Sequence, residues 1–156
     1  MSMRVHKDQR INLLKGVDLL SGCTKNELRQ IASLTTELEA APGQVLAEQG
    51  KPGQEFFILV EGRAKASRNG VVLATLAPTD FFGELALLDG GDRTATVVAE
   101  TDLRLLVLSR GEFKHLCLSY PSVAHRMLAE LGARLRRADE ILGAEQTSDS
   151  LKRVTL

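Results

Sequence analysis

The chain has 156 residues, enough for one domain with its own buried core and too few for two. Its 20 Lys and Arg balance 20 Asp and Glu, which argues against a protein that coats nucleic acid by neutralising phosphates. Cys23 and Cys117 stand far apart, with no C-x-x-C and no nearby histidine pair, so they read as reduced thiols and not as a metal or redox motif.

Residues 1–12 are polar and charged with no apolar leader, and no run approaches the roughly 18 apolar residues of a membrane span. A cytoplasmic protein without a membrane segment is the expectation. From Asp8 to Leu34, Ile11, Leu14 and Val17, then Leu28, Ile31 and Leu34, recur at helical spacing around a break at Ser21-Gly22. Thr24 with Glu27 three residues on is a capping-box signature, so a helix should start there.

After Thr35 the pattern changes to short runs separated by turns. Val45-Leu46, Phe56 to Val60, Ala64 to Ser67, Val71 to Leu76, Thr94 to Ala99 and Leu103 to Leu108 read as strands, punctuated by Pro42-Gly43, Pro52-Gly53, Glu61-Gly62, Asn69-Gly70 and Pro78-Thr79-Asp80. Asn69-Gly70 is the sharpest hairpin signal, because a type I′ turn needs positive φ at both central residues. Short strands at near-regular spacing predict a double-sheet jelly roll.

Inside this region lies Phe82-Gly83-Glu84-Leu85-Ala86-Leu87-Leu88, then the turn Asp89 to Asp92 and Arg93-Thr94-Ala95-Thr96-Val97. Gly83 lets backbone approach a ligand and can open a helical turn, whose free N–H groups and positive dipole end favour a phosphate. Arg93 can add a doubly donating cation. Glu84 only accepts hydrogen bonds when ionised, which suits a ligand that also offers hydroxyls, as a ribose does. The competing interpretation pairs Glu84 with Arg93 in an ordinary salt bridge over the turn.

This run resembles the phosphate-binding cassette of cyclic nucleotide-binding domains, found in bacterial cAMP-responsive regulators, cyclic nucleotide-dependent kinases and gated channels. The resemblance extends over roughly Leu19 to Gly143. It implies that Gly83 and Leu85 offer backbone N–H to the cyclic phosphate, Glu84 takes the ribose 2′-hydroxyl and Arg93 pairs the phosphate. Thr94 and the Ala95 backbone complete the cradle, with Phe82 and Ala86 also counted among the ligand-binding residues. It implies as well an α+β fold: a β-roll with N-terminal helices against it and two C-terminal helices behind. The ranges expected are a helical lead over 1–34, the roll over 35–109 with its cassette at 82–97, helices over 110–144 and a flexible tail over 145–156.

Jelly rolls also serve metal-dependent enzymes, but those need inward-pointing histidines on the strands. His6, His115 and His125 all fall outside the strand region, no Ser, His and Asp arrangement stands out, and neither an enzyme nor a metal is expected.

Ser109 can cap a helix from Arg110 to Ser119, and Pro121 can open another running to about Ala144. Along the second, Ala124, Leu128, Leu131, Leu135, Ala138 and Leu142 form a heptad seam, while Val123, Met127 and Ile141 widen the apolar face. Such a helix can lie on its own domain along one side and on a twin along the other, giving a homodimer; the alternative is a helix that only covers its own domain. Arg134, Arg136 and Arg137 read as a solvated face.

Leu135, Ala138, Asp139, Ile141 and Leu142 are candidate lid or base contacts. Asp139 could accept from guanine N–H groups, or pair with Arg134 across a dimer seam. The expected ligand is cAMP rather than cGMP, with no separate cofactor. Bacterial regulators of this family carry a DNA-reading domain after the long helix, and residues 145–156 hold none, so direct DNA binding is not expected. The expectation is a sensor, alone or as a piece of a longer protein, signalling through a downstream partner; its rival is a structural dimer module with a vestigial pocket.

Overall fold

Capping boxes set two of the helix starts. The computed structural model describes residues 7–145; the expected tail therefore lies outside the described residues except for Glu145. In it, α1 (Lys7–Lys15) leads through a 3-10 turn, Asp18–Leu20, to α2 (Lys25–Leu34). The Glu27 amide donates to Thr24 Oγ1 at 3.2 Å and the Thr24 amide to Glu27 Oε1 at 2.8 Å, so two otherwise orphaned amide donors are satisfied by side-chain acceptors. Ser109 and Glu112 repeat the device at α4 (Arg110–Ser119).

Between these helices, eight strands form two 4-stranded antiparallel sheets. The first runs β1 (Thr36–Ala40), β8 (Leu103–Ser109), β3 (Glu55–Glu61), β6 (Phe81–Phe82); the second runs β2 (Val45–Ala47), β7 (Thr96–Ala99), β4 (Ala64–Arg68), β5 (Val71–Leu76). This is the helix-flanked jelly roll expected from the sequence. Asn69 and Gly70 join β4 to β5 with φ of 51° and 79°, the double positive φ a type I′ turn requires.

The first sheet is buried on both faces, which explains why β3 and β8 read as continuous apolar runs and not as alternating ones. Phe56, Ile58, Leu106 and Leu108 pack with the helices. Phe57, Leu59, Leu105 and Val107 pack between the sheets with Phe82, Val97 and Ala99. Two strands escape the sequence analysis: β1, and the two-residue β6, which the cassette motif hid.

The last element, α5 (Pro121–Glu145), spans 25 residues. Val123 and Met127 are buried in the helical core and Leu131 packs against it, so the near half of α5 is fastened to the domain. Leu128, Leu135 and Ile141 are exposed at 69%, 55% and 59%. No helix among the described residues is long and apolar enough to cross a membrane.

Candidate functional site

The site starts from two phenylalanines that β6 throws to opposite faces. Phe82 pairs with Phe57 and Phe81 with Ile58, and successive strand residues point to opposite sides. Phe82 therefore enters the space between the sheets, stacked on Phe57 at 4.7 Å, while Phe81 sits on the helical side, 5.5 Å from Phe56. Each side seats one guanidinium: Arg93 lies 5.7 Å from the Phe57 centroid and Arg134 lies 5.4 Å from that of Phe81.

The chain then turns at Gly83, where φ is 96°. A Cβ there would stand 2.6 Å from Arg93 Nη1 and 2.7 Å from the Glu55 carbonyl oxygen, so conformation and close approach both demand glycine. Helix α3 (Glu84–Asp89) opens at once, and its first amides, Leu85 and Ala86 among them, have no partner within the helix. Ala86 itself is buried.

Arg93 is 7% exposed. Its Nη1 donates to the Gly83 carbonyl at 3.2 Å and its Nη2 to the Glu55 carbonyl at 2.9 Å. Burial lowers its pKa, while the carboxylates of Glu55 and Glu84 act in the opposite direction. Neutral carbonyls hold the guanidinium without cancelling its charge, leaving further N–H donors for an anion. The Arg93 backbone is pinned as well: its amide donates to the Lys51 carbonyl at 2.8 Å, and its carbonyl accepts from the Gly50 amide at 2.9 Å.

Glu84 is 3% exposed and its ion-pair partner is Arg134 of α5, whose Nη1 donates to Glu84 Oε1. The Glu84–Arg93 salt bridge of the competing interpretation does not form. The assignment of Arg134 to a solvated face is also overturned: with its side chain 40% exposed, it bridges Glu84 and Glu130, the latter at 3.3 Å. Arg136 and Arg137 are exposed. Heptad position alone could not reveal this, because the partner lies 50 residues away in sequence.

Thr94 and Ala95 form a bend, and β7 begins at Thr96 rather than at Thr94 as expected. The backbone bonds of Arg93 to the loop between β2 and β3 hold this stretch off the sheet ladder until Thr96. Thr94 is exposed, and its carbonyl accepts from Arg68 Nε at 2.8 Å.

The structure thus gathers Phe82, Gly83, Glu84, Ala86 and Arg93 around one turn, with Thr94 and Ala95 following directly. Of the other candidates, Leu135, Ala138 and Ile141 are exposed, Asp139 and Leu142 half-buried, so α5 is not folded over the turn on its outermost leucine and isoleucine. Arg134, the Glu55 carbonyl and Gly53 join this turn without having been expected there from the sequence. A Cβ on Gly53 would meet Arg93 Nε at 2.6 Å and Ala86 Cβ at 2.8 Å; its only signal was a Pro-Gly pair that any turn would carry.

A concavity of about 620 Å³, lined by residues including Glu39, Gln44, Glu61, Asp102 and Arg104, shares no residue with this turn. Arg104 there stands 3.7 Å from Glu39 and 3.9 Å from Glu61, so its charge is already matched. No group of three or more metal-ligating side chains occurs among the described residues.

A jelly roll with helices packed on its first sheet and a glycine-opened turn beside a buried arginine defines a class of anion-binding domain. Residues 37–120 match the family described as "Cyclic nucleotide-binding domain". The chain is 34% identical over 131 residues to the cyclic AMP receptor protein of Thermus thermophilus, covering 81% of this chain and 61% of that one. It is 35% identical over 105 residues to a cAMP-dependent protein kinase regulatory subunit of Hypocrea atroviridis, covering 67% of this chain and 23% of that subunit. The crystal structure of the Thermus thermophilus catabolite activator protein superposes with a TM-score of 0.77 at 34% identity, over 81% of this chain and 62% of that chain. The chain belongs to the cyclic nucleotide-binding domain family.

Proposed function

We propose that the chain senses a cyclic nucleotide, cAMP in preference to cGMP, and passes its occupancy to α5 and onward to a partner. The observation that carries this is Glu84. One of its oxygens holds Arg134 of α5, and the other is left to accept a ribose hydroxyl, so one carboxylate would touch both the ligand and the long helix. The Gly83 and Leu85 amides and Arg93 would take the cyclic phosphate, with Thr94 and the Ala95 backbone beside it.

In the output step, Leu135, Ala138, Ile141 and Leu142 are the lid candidates, and closure would bury apolar surface that now faces solvent. Ligand can drive it only by binding the closed arrangement more tightly. Leu128 and Leu135, one heptad apart, lie off the face that Val123 and Met127 bury, and a second copy of α5 would cover them. Preference for cAMP is supported by the names of the Thermus receptor and the fungal subunit. Asp139 is the residue on which a guanine preference would rest.

A second interpretation, a dimer module with a vestigial pocket, draws on one fact: Arg93 and Glu84 each already have partners within the protein. Calorimetric titration with cAMP and cGMP separates the two. Micromolar or tighter binding of either supports the sensor, and absence of binding with both leaves the module.

A further inference from the structure

Arg110, the first residue of α4, lies behind the turn and not within it. Its Nη2 donates to the Gly53 carbonyl at 3.1 Å and to the Ala86 carbonyl at 3.3 Å, while its Nε is buried without a hydrogen-bond partner. The two carbonyls belong to different segments: Gly53 to the loop between β2 and β3, Ala86 to α3. Both segments touch the Arg93 side chain's surroundings at Gly53, where a Cβ would meet Arg93 Nε at 2.6 Å and Ala86 Cβ at 2.8 Å.

We infer that Arg110 is a positioning residue of the anion site, a tie across the back of the turn that holds Gly53 against Ala86 and so fixes the surface on which the Arg93 side chain rests. The inference rests on the cyclic nucleotide reading and deepens it. Helix α3 has only 6 residues, too few to hold its shape by backbone bonds alone. Ala86 lies among its last carbonyls, which lack donors within the helix, and a cation there also suits the negative end of the helix dipole. The same tie holds Gly53, whose missing side chain makes room for the Arg93 guanidinium. Arg110 thus acts on the ligand only through Arg93 and α3.

Arg110→Gln keeps a long polar side chain and removes the cation. In the ligand-free protein, hydrogen exchange should accelerate about tenfold at the amides of residues 53–55 and 84–89, while α2 and β8 stay as in the wild type. Calorimetry should show cAMP bound about tenfold more weakly, with Arg110→Lys recovering most of the loss. In an Arg93→Lys background the same Arg110→Gln change should cost less than about threefold, because residues acting through one another are not additive. Unchanged exchange in the two segments overturns the inference, and so does an equal loss of affinity in both backgrounds. If the wild-type protein binds no cyclic nucleotide, the proposed function fails, and the exchange measurement still decides whether Arg110 ties the turn.

Discussion

The turn from Gly83 to Arg93 and the far half of α5 contain the same kinds of residue, carboxylates, arginines and leucines, and the fold treats them in opposite ways. In the turn, Arg93 is held by two backbone carbonyls and Glu84 is buried against Arg134. Beyond Leu131, Leu135 and Ile141 stand more than half exposed, Arg136 faces solvent, and Arg137 pairs with Glu130 of its own helix, at 3.7 Å. Groups whose partners are atoms of their own roll are set before any ligand arrives. Apolar groups of the far half of α5 face solvent instead, and Arg134 joins the two regions.

The comparison breaks most sharply at Arg93. A charge-assisted contact to a buried phosphate is worth about 1.5–3 kcal/mol, so Arg93→Ala should weaken cyclic nucleotide binding tenfold or more by calorimetry. Binding at wild-type strength would remove the turn as the anion site. Loss of the guanidinium also leaves the Gly83 and Glu55 carbonyls without this donor, and thermal unfolding should come several degrees lower.

The open region is probed through the exposed stripe. Leu128→Glu with Leu135→Glu should convert a dimer to monomers in light scattering while leaving the melting temperature nearly unchanged, since neither residue belongs to the buried core. Leu131 is the wrong choice for this purpose because it packs on the helical core. A wild-type protein that is monomeric at high concentration would refute pairing through α5.

Asp139 should give a smaller effect. If cAMP is the preferred ligand, Asp139→Ala changes the affinities for cAMP and cGMP by less than about threefold, the loss of at most a weak, partly solvated contact. A selective loss of cGMP binding would reverse the assignment of the base.

The smallest effect concerns the thiols. Burial pushes the Cys117 pKa up; for Cys23 burial does the same, opposed by the bond to Ser122 and assisted by Glu27. A higher pKa means less thiolate at a given pH, so iodoacetamide should label both more slowly than a free cysteine at about pH 8, with the gap narrowing as pH rises. Labelling as fast as glutathione would contradict that burial.

Much of this was legible because its causes are local. Thr24 with Glu27 and Ser109 with Glu112 satisfy helix amides three residues away, and Asn69-Gly70 carries its own turn. Gly83 in front of good helix formers marked the opening of α3. Strand β1 was hidden for the converse reason: Thr-Glu-Leu-Glu-Ala has little apolar character of its own, and it is a strand because β8 offers a partner from Thr36↔Val107 to Ala40↔Leu103.

By itself, then, the sequence determined the helices, six of the eight strands, the jelly roll and the turn that defines the family, since capping, turn formation and hydrophobic period act within a few residues. Only the tertiary structure decided who pairs with whom. Glu84 could have met Arg93, nine places on, and instead met Arg134, 50 residues away; Arg93 found the Glu55 carbonyl across 38. Charges attract at any sequence separation, and the packing of α5 beside Phe81 and of β3 beside β6 is what chose the distances.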